Sequence, residues 1–301
     1  MRRFIDIGAN LTDPQFRGIY RSKQRHDDDL AAVIARAKEA HVSEILVTGA
    51  SLDESREALD LCRQYPGYLF STVGVHPSAS GVIPQEDGAR RAYLSELEQL
   101  ARTGQAAGHV KAFGEIGLDY DRLYNSTVEI QQRAFADQLE VAARLDLPLF
   151  LHSRNCATDF HRMIEPYTSR LRGVVHSFTG TSDEMRDLLS LGLYIGVNGC
   201  SLKTQENLDV VAQIPLDRLM LETDGPWCEI RRTHASHKYT KPLPYEFAKA
   251  PEKWTPGKLV RGRCEPCEIS SVAEVVAAVH NVPEEQVIER ALQNTLELFK
   301  F

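Results

Sequence analysis

Short, nearly continuous apolar runs alternate along the chain with longer stretches in which apolar positions recur every three or four residues. The runs are RFIDIG (3–8), EILVTG (44–49), LFSTVGV (69–75), VKAFGEIG (110–117), LPLFLHS (147–153), RGVVHS (172–177), LYIGVNG (193–199) and RLMLETD (218–224). Strands of a parallel sheet read this way, because helices cover the sheet and both strand faces are buried. Between them, DDDLAAVIARAKEAH (27–41), SREALDLCRQY (55–65), STVEIQQRAFADQLEVAARLD (126–146) and DEMRDLLSLG (183–192) carry helical spacing. Asp27 or Asp28, Ser126, and Ser182 or Asp183 are placed to cap helix starts, and Gly192 lies just past a helix end. Eight strand–helix units predict an α/β fold, a (β/α)8 TIM-like barrel rather than an open doubly wound sheet. No GxGxxG follows the first run, which weighs against a dinucleotide fold. Residues 225–269, rich in Pro, Lys and aromatics, are expected as a long loop after strand 8. SSVAEVVAAVH (270–280) and PEEQVIERALQNTLELF (283–299) read as closing helices. No linker or shift of composition divides the chain, so residues 1–301 are expected to form one domain.

Composition adds limits. The 301 residues are 43% apolar and 26% charged, ordinary values for a globular protein. No apolar run approaches the roughly 18–20 residues that cross a bilayer. The opening MRRFIDIGANL reaches Asp6 after two apolar residues, so it reads as a strand and not as a signal peptide. An intracellular location is expected, with no secretion and no membrane. The six cysteines then default to reduced thiols. The formal charge of −7 argues against non-specific coating of nucleic acid. It is unevenly spread: from Arg231 to Arg263 there are nine Lys and Arg against two Glu, a local +7. Such a segment is either a solvated basic loop or a contact for a phosphate-bearing ligand.

In a parallel barrel the carboxyl ends of all strands face one mouth. Those ends carry Asp6 and Asn10, His76, Glu115 with Asp119 further into the loop, His152, His176, Asn198 and Lys203, and finally Glu222 and Asp224. A lone histidine at a strand end is ordinarily structural, and Asp224 in LETDGP also suits a cap or an Asx turn. Glu115 in FGEIG is different, because a carboxylate among apolar neighbours must be paired or hold a metal. Taken together, Glu115, His152, His176 and Asp224 come from four strand ends and form a metal-ligand set. Two imidazoles plus carboxylates suit Zn2+, Mn2+ or Mg2+. A carboxylate can also bridge two ions in a hydrolytic pair, so one or two ions are expected.

The segments FIDIGANLTDPQFRGIY, STVGVHP, FGEIGLDYDR, PLFLHSRN, VVHSFTG, YIGVNGCSLKT, LMLETDGPW and GRCEPCEI together resemble the TatD family of metal-dependent deoxyribonucleases, in particular its eukaryotic branch. The resemblance runs from Phe4 to the last helix. It implies a TIM-like barrel of the metal-dependent hydrolase superfamily and nuclease activity on DNA, typically 3′→5′ exonucleolytic, on single strands or 3′ ends. It implies further that Glu115 is the bridging carboxylate, that His152 and His176 are imidazole ligands, and that Asp224 contacts metal or water and serves as general base. His76 resembles the family's phosphate-side histidine, and Glu222 supports the catalytic group from the same strand as Asp224. Many members carry an HxH pair after strand 1, where this chain has Gly8-Ala9-Asn10. A second ion would then depend on Asp6, with Asn10 offering a neutral carbonyl, and Mg2+ becomes favoured over Mn2+ or Zn2+.

The expected reaction is in-line attack of metal-activated water on a phosphodiester, with Asp224 taking the proton and His76 assisting the leaving oxygen. Arg154 and Lys203 are candidates to grip phosphate, and Asn10 is a further candidate to contact substrate. His234, Lys238 and Arg263 in the basic loop are candidates to guide flanking nucleotides, with Tyr239 or Trp227 stacking a base. The single CEPC pair (264–267) has no second CxxC and no redox context, so it reads as structural. Alternative readings are hydrolysis of another ester, such as the acyl bond of a mischarged D-aminoacyl-tRNA, and a non-catalytic barrel that serves as a partner protein.

Overall fold

A computed structural model describes residues 2–301. Eight parallel strands form one sheet: β1 (Phe4–Ala9), β2 (Val42–Val47), β3 (Leu69–Val73), β4 (Val110–Asp119), β5 (Leu149–Arg154), β6 (Gly173–Val175), β7 (Tyr194–Val197) and β8 (Leu219–Leu221). They pair in chain order, and the ends meet. Asp224 N–H donates to the Gly8 carbonyl at 2.8 Å and Asn10 N–H to the Gly225 carbonyl at 2.7 Å, so the sheet closes into a (β/α)8 barrel.

Helices α1 (Leu30–Glu39), α2 (Leu52–Gln64), α3 (Asp87–Ala106), α4 (Val128–Ala142), α5 (Ala157–Ile164), α6 (Ser182–Ser190) and α7 (Gln205–Val211) cover the outside, followed by α8 (Ile269–His280) and α9 (Glu284–Phe299). Asp28 accepts the Leu30 N–H at the start of α1. The cap of α4 is Thr127 rather than Ser126, and that of α6 is Thr181, whose capping box with Glu184 displaces Ser182 and Asp183 from the role. Gly192 follows α6 at φ 79°, a left-handed turn that glycine adopts without strain.

Strand alternation decides which residues fill the barrel and which face the helices. Ile5, Ile7, Leu46, Ala112, Phe150, Val174, Tyr194 and Met220 form the inner cluster, plugged at the amino-terminal end by Leu298 and Phe299 of α9. Leu149, Leu151, Val175, Ile195, Val197, Leu219 and Leu221 pack outward in the larger cluster with the helices. Continuing each inward row two residues on reaches His152, His176 and Glu222, so period-two alternation alone carries these side chains to the mouth.

β4 needs a different device. Phe113, Ile116 and Leu118 all pack outward, which simple alternation forbids for 113 and 116. The register against β5 slips between Gly114 and Ile116, pairing them with Phe150 and Leu151. Glu115 is the extra residue of this bulge and is turned into the barrel. Gly114 and Gly117 make the fit possible: φ is 154° and 145°, and a Cβ would lie 2.2 Å from the Phe150 carbonyl oxygen and 1.9 Å from that of His152.

The loop after β8 is tied down as it leaves the barrel. Ala235 N–H donates to the Lys203 carbonyl, Cys264 N–H to that of Pro226, and 247–248 pair with 259–260. Among the described residues no helix is long and apolar enough to cross a membrane.

Candidate metal centre and cleft

Three imidazoles converge on one oxygen of Glu115. His152 Nδ1 and His176 Nε2 each lie 2.7 Å from Glu115 Oε1, and His76 Nε2 lies 3.2 Å from it. All four residues line a cleft of about 940 Å³ at the carboxyl ends of the strands, together with Asp119, Asp224 and Asn10. The ligand atoms of Glu115, His152 and His176 lie within 4.8 Å of one another, as do those of His76, Asp119 and His152. Two orphaned buried atoms mark the same place: Asp119 Oδ2 and His152 Nε2 have no hydrogen-bond partner. Buried nitrogen and oxygen lone pairs facing each other are costly until a proton or a cation joins them. The donor set therefore fits a divalent cation.

The electrostatics agree. Burial pushes the Glu115 carboxyl up, but the charge on His176 and the bonds from His152 and His176 overcome it and hold it well below the usual range. Burial opposes charge on His152 and His176 as well, yet the carboxylates around them raise both. His76 goes the other way: burial dominates and lowers it, keeping it neutral. Its Nδ1 accepts the Ser78 N–H at 3.0 Å, so the proton of the neutral ring sits on Nε2, the atom that faces the cleft. Burial lifts Asp224 to about 7, with His176 opposing the shift and Glu222 and Glu115 adding to it. Asn10 Nδ2 holds Asp224 Oδ1 at 3.0 Å.

Glu222 is wholly buried and meets the site through His176. Its Oε2 stands 3.4 Å from His176 Nδ1, while Oε1 accepts from the Ser177 N–H and from Asn198 Nδ2. A carboxylate on the far nitrogen fixes the ring's tautomer and direction. Glu222 thus positions an imidazole and is not itself among the residues lining the cleft.

The structure does not bring Asp6 to this group. Asp6 lies between inward-facing Ile5 and Ile7, so its side chain takes the opposite face of β1. There Thr223 donates to it from both N–H (3.0 Å) and Oγ1 (2.5 Å), and Gly8 N–H adds a third bond. The acid beside the histidines is instead Asp119. Sequence reading put it in the loop, but β4 extends to it and its Oδ2 lies 3.3 Å from His152 Nε2. The first acid of GLDYD was the available signal.

The basic residues divide. Arg154 and Lys203 line the cleft, and the Arg154 guanidinium is 3.6 Å from Asp119. His234 and Lys238 are not among its lining residues. His234 Nδ1 faces the Arg231 N–H, and the Lys238 ammonium lies over the ring of Tyr239. Arg263 is wholly enclosed, forked onto Asp29 at 2.7 and 2.6 Å and onto Glu265 at 2.8 Å, so it is not available to a ligand. Trp227 stands at the rim, 55% exposed.

The cysteines also depart from expectation. Cys200 and Cys228 form a disulfide between the loops after β7 and β8, which are neighbours in the barrel. The other four are free and buried. In the CEPC segment, Glu265 and Glu268 make a capping box and burial pushes the Cys264 and Cys267 thiols up.

Seven carboxylates and three Lys or Arg line the cleft, so its own charge repels an anionic substrate until cations are added.

A family model described as TatD related DNase matches residues 5–300. A protein of Schizosaccharomyces pombe named deoxyribonuclease Tat-D is 49% identical over 299 residues, covering 98% of this chain and 95% of the relative. A Yersinia pseudotuberculosis protein named 3′-5′ ssDNA/RNA exonuclease TatD is 35% identical, covering 98% and 99%. The crystal structure of a Saccharomyces cerevisiae protein described as an uncharacterized amidohydrolase superposes with a TM-score of 0.94 at 35% identity, covering 99% of this chain and all of the other.

Proposed function

Because the chain belongs to the family of TatD-related DNases, we propose that it is a divalent-metal-dependent deoxyribonuclease that removes nucleotides from the 3′ ends of single-stranded DNA. The observation that carries this is the meeting of His76, His152 and His176 at one oxygen of Glu115, beside Asp119 and Asp224. The activity named for the Yersinia relative supports the polarity and the strand preference.

Glu115, His152 and His176 would hold the ion, with Asp119 and Asp224 at its edge. The ion proposed is Mg2+. A divalent cation in such a site stabilises charge on phosphate oxygens and makes water acidic near neutral pH. The remaining roles belong to the protein. Asp224, fixed by Asn10 and raised to about 7 by burial, takes a proton at neutral pH. Neutral His76 presents Nε2–H to the departing oxygen, its ring held by Ser78. Glu222 keeps His176 in register. Arg154 and Lys203 grip flanking phosphates at the rim, and the half-exposed Trp227 offers a face on which a base can stack.

The test is hydrolysis of 3′- and 5′-labelled single- and double-stranded oligodeoxynucleotides with Mg2+, Mn2+, Zn2+ or chelator. Mononucleotides should leave the 3′ end of the single strand with Mg2+ and not with chelator. Absence of hydrolysis with all three metals would overturn the proposal.

A further inference from the structure

Beside the cleft lies a second cavity of about 470 Å³, which shares Asp121, Arg154, Thr179 and Asn207 with it. The two are therefore adjacent, with Arg154 lining both. The side cavity is of another character: Phe160, Phe178, Leu188 and Val210 form its walls. Phe160 is anchored by stacking on Phe135, with ring centroids 5.4 Å apart, so this wall is part of the core. Glu184, Asp187 and Glu206 supply acceptors around the apolar surface. A phosphate is repelled by these carboxylates, whereas a neutral, flat heterocycle with exocyclic N–H donors suits both the walls and the acceptors. The volume lies toward the lower end of ligand pockets, roughly 300–1,000 Å³, which suits one base.

We propose that this side cavity receives the nucleobase of the terminal nucleotide being released, with Arg154 holding the phosphate at the junction. The inference rests on the nuclease reading above and deepens it. The main cleft carries the strand, the side cavity takes a single base, and cleavage is thereby set one nucleotide from the end.

The test compares two single-stranded oligodeoxynucleotides with Mg2+, one ending in a normal 3′ nucleotide and one in an abasic 3′ nucleotide. With the unsubstituted protein, kcat/KM for removing the last unit should be about tenfold higher for the normal end, the scale of one stacked base. Filling the cavity from either side, by Val210→Trp or Ala157→Phe, should bring that ratio towards one, and thermal melting identifies which variants are folded. An unsubstituted protein that handles both ends equally would overturn the inference. So would a folded variant that keeps the tenfold ratio. Release from neither oligonucleotide by the unsubstituted protein would instead remove the nuclease reading, and this inference with it.

Discussion

Replacing Arg263 by Ala separates a structural role from a ligand-binding one. The guanidinium is the centre of a buried, neutral set of four groups. It forks onto Asp29 and also bonds Glu265, while Arg36 bonds Glu265 at 2.8 and 3.1 Å and lies 3.6 Å from Asp29. Both carboxylates are buried. Removing one cation leaves two carboxylates sharing Arg36, one negative charge in excess away from water. Breaking a buried pair in this way costs about 3–5 kcal/mol. For 301 residues the entropy of unfolding is about 0.6 kcal/mol/K, so Arg263→Ala should lower Tm by about 5–8 °C. Scanning calorimetry on the two proteins measures it, with KM for a labelled oligonucleotide measured below the transition. The expected pattern is a large loss of Tm with KM little changed. A Tm within about 1–2 °C of the parent, accompanied by a raised KM, would refute the structural reading and return Arg263 to the substrate.

Other expectations follow from the centre and its surroundings. Glu115→Ala removes the atom on which three imidazoles meet and should lower nuclease activity at least about a hundredfold; a variant at full rate would contradict the mechanism. Glu222→Gln should weaken metal binding about 10–100-fold by loosening His176, read by titration calorimetry, and unchanged affinity would leave Glu222 without its positioning role. Chelation should lower Tm, since an ion present at a hundred times its Kd stabilises by about 2.7 kcal/mol. Glu268, a buried acid away from the cleft, is raised from 4.5 to about 8, chiefly by desolvation. The folded state holds this proton more tightly than the unfolded chain, so its contribution is full below about pH 4.5 and is lost as pH rises through 8. The loss is at most about 5 kcal/mol. In Glu268→Gln the stability measured in urea at pH 9, relative to pH 5, should therefore fall less than in the parent; an identical pH profile would count against the assignment.

Much of this fold is local information. The eight runs, their order and the inward position of His152, His176 and Glu222 follow from period-two alternation within strands whose neighbours are apolar. The resemblance of the motifs reached the family from the same residues. What alternation cannot carry is anything set by register or by partners distant in the chain. The β4 bulge turns Glu115 inward because of how β4 pairs with β5, and the same extra residue brings Asp119 beside His152. A charge in a basic loop looks alike whether it meets solvent or Asp29, and only the packing against α1 decided that Arg263 is enclosed. Cys200 and Cys228, 28 residues apart, are joined because β7 and β8 are adjacent. The chain alone specifies which side chains stand at the carboxyl ends of the regular strands, since that depends on the pleat of each strand; Glu115 and Asp119 on the bulged β4 are the exception. Which of them share one cation-sized space, and which are satisfied elsewhere, was decided by tertiary structure, because a buried polar group is defined by its neighbours.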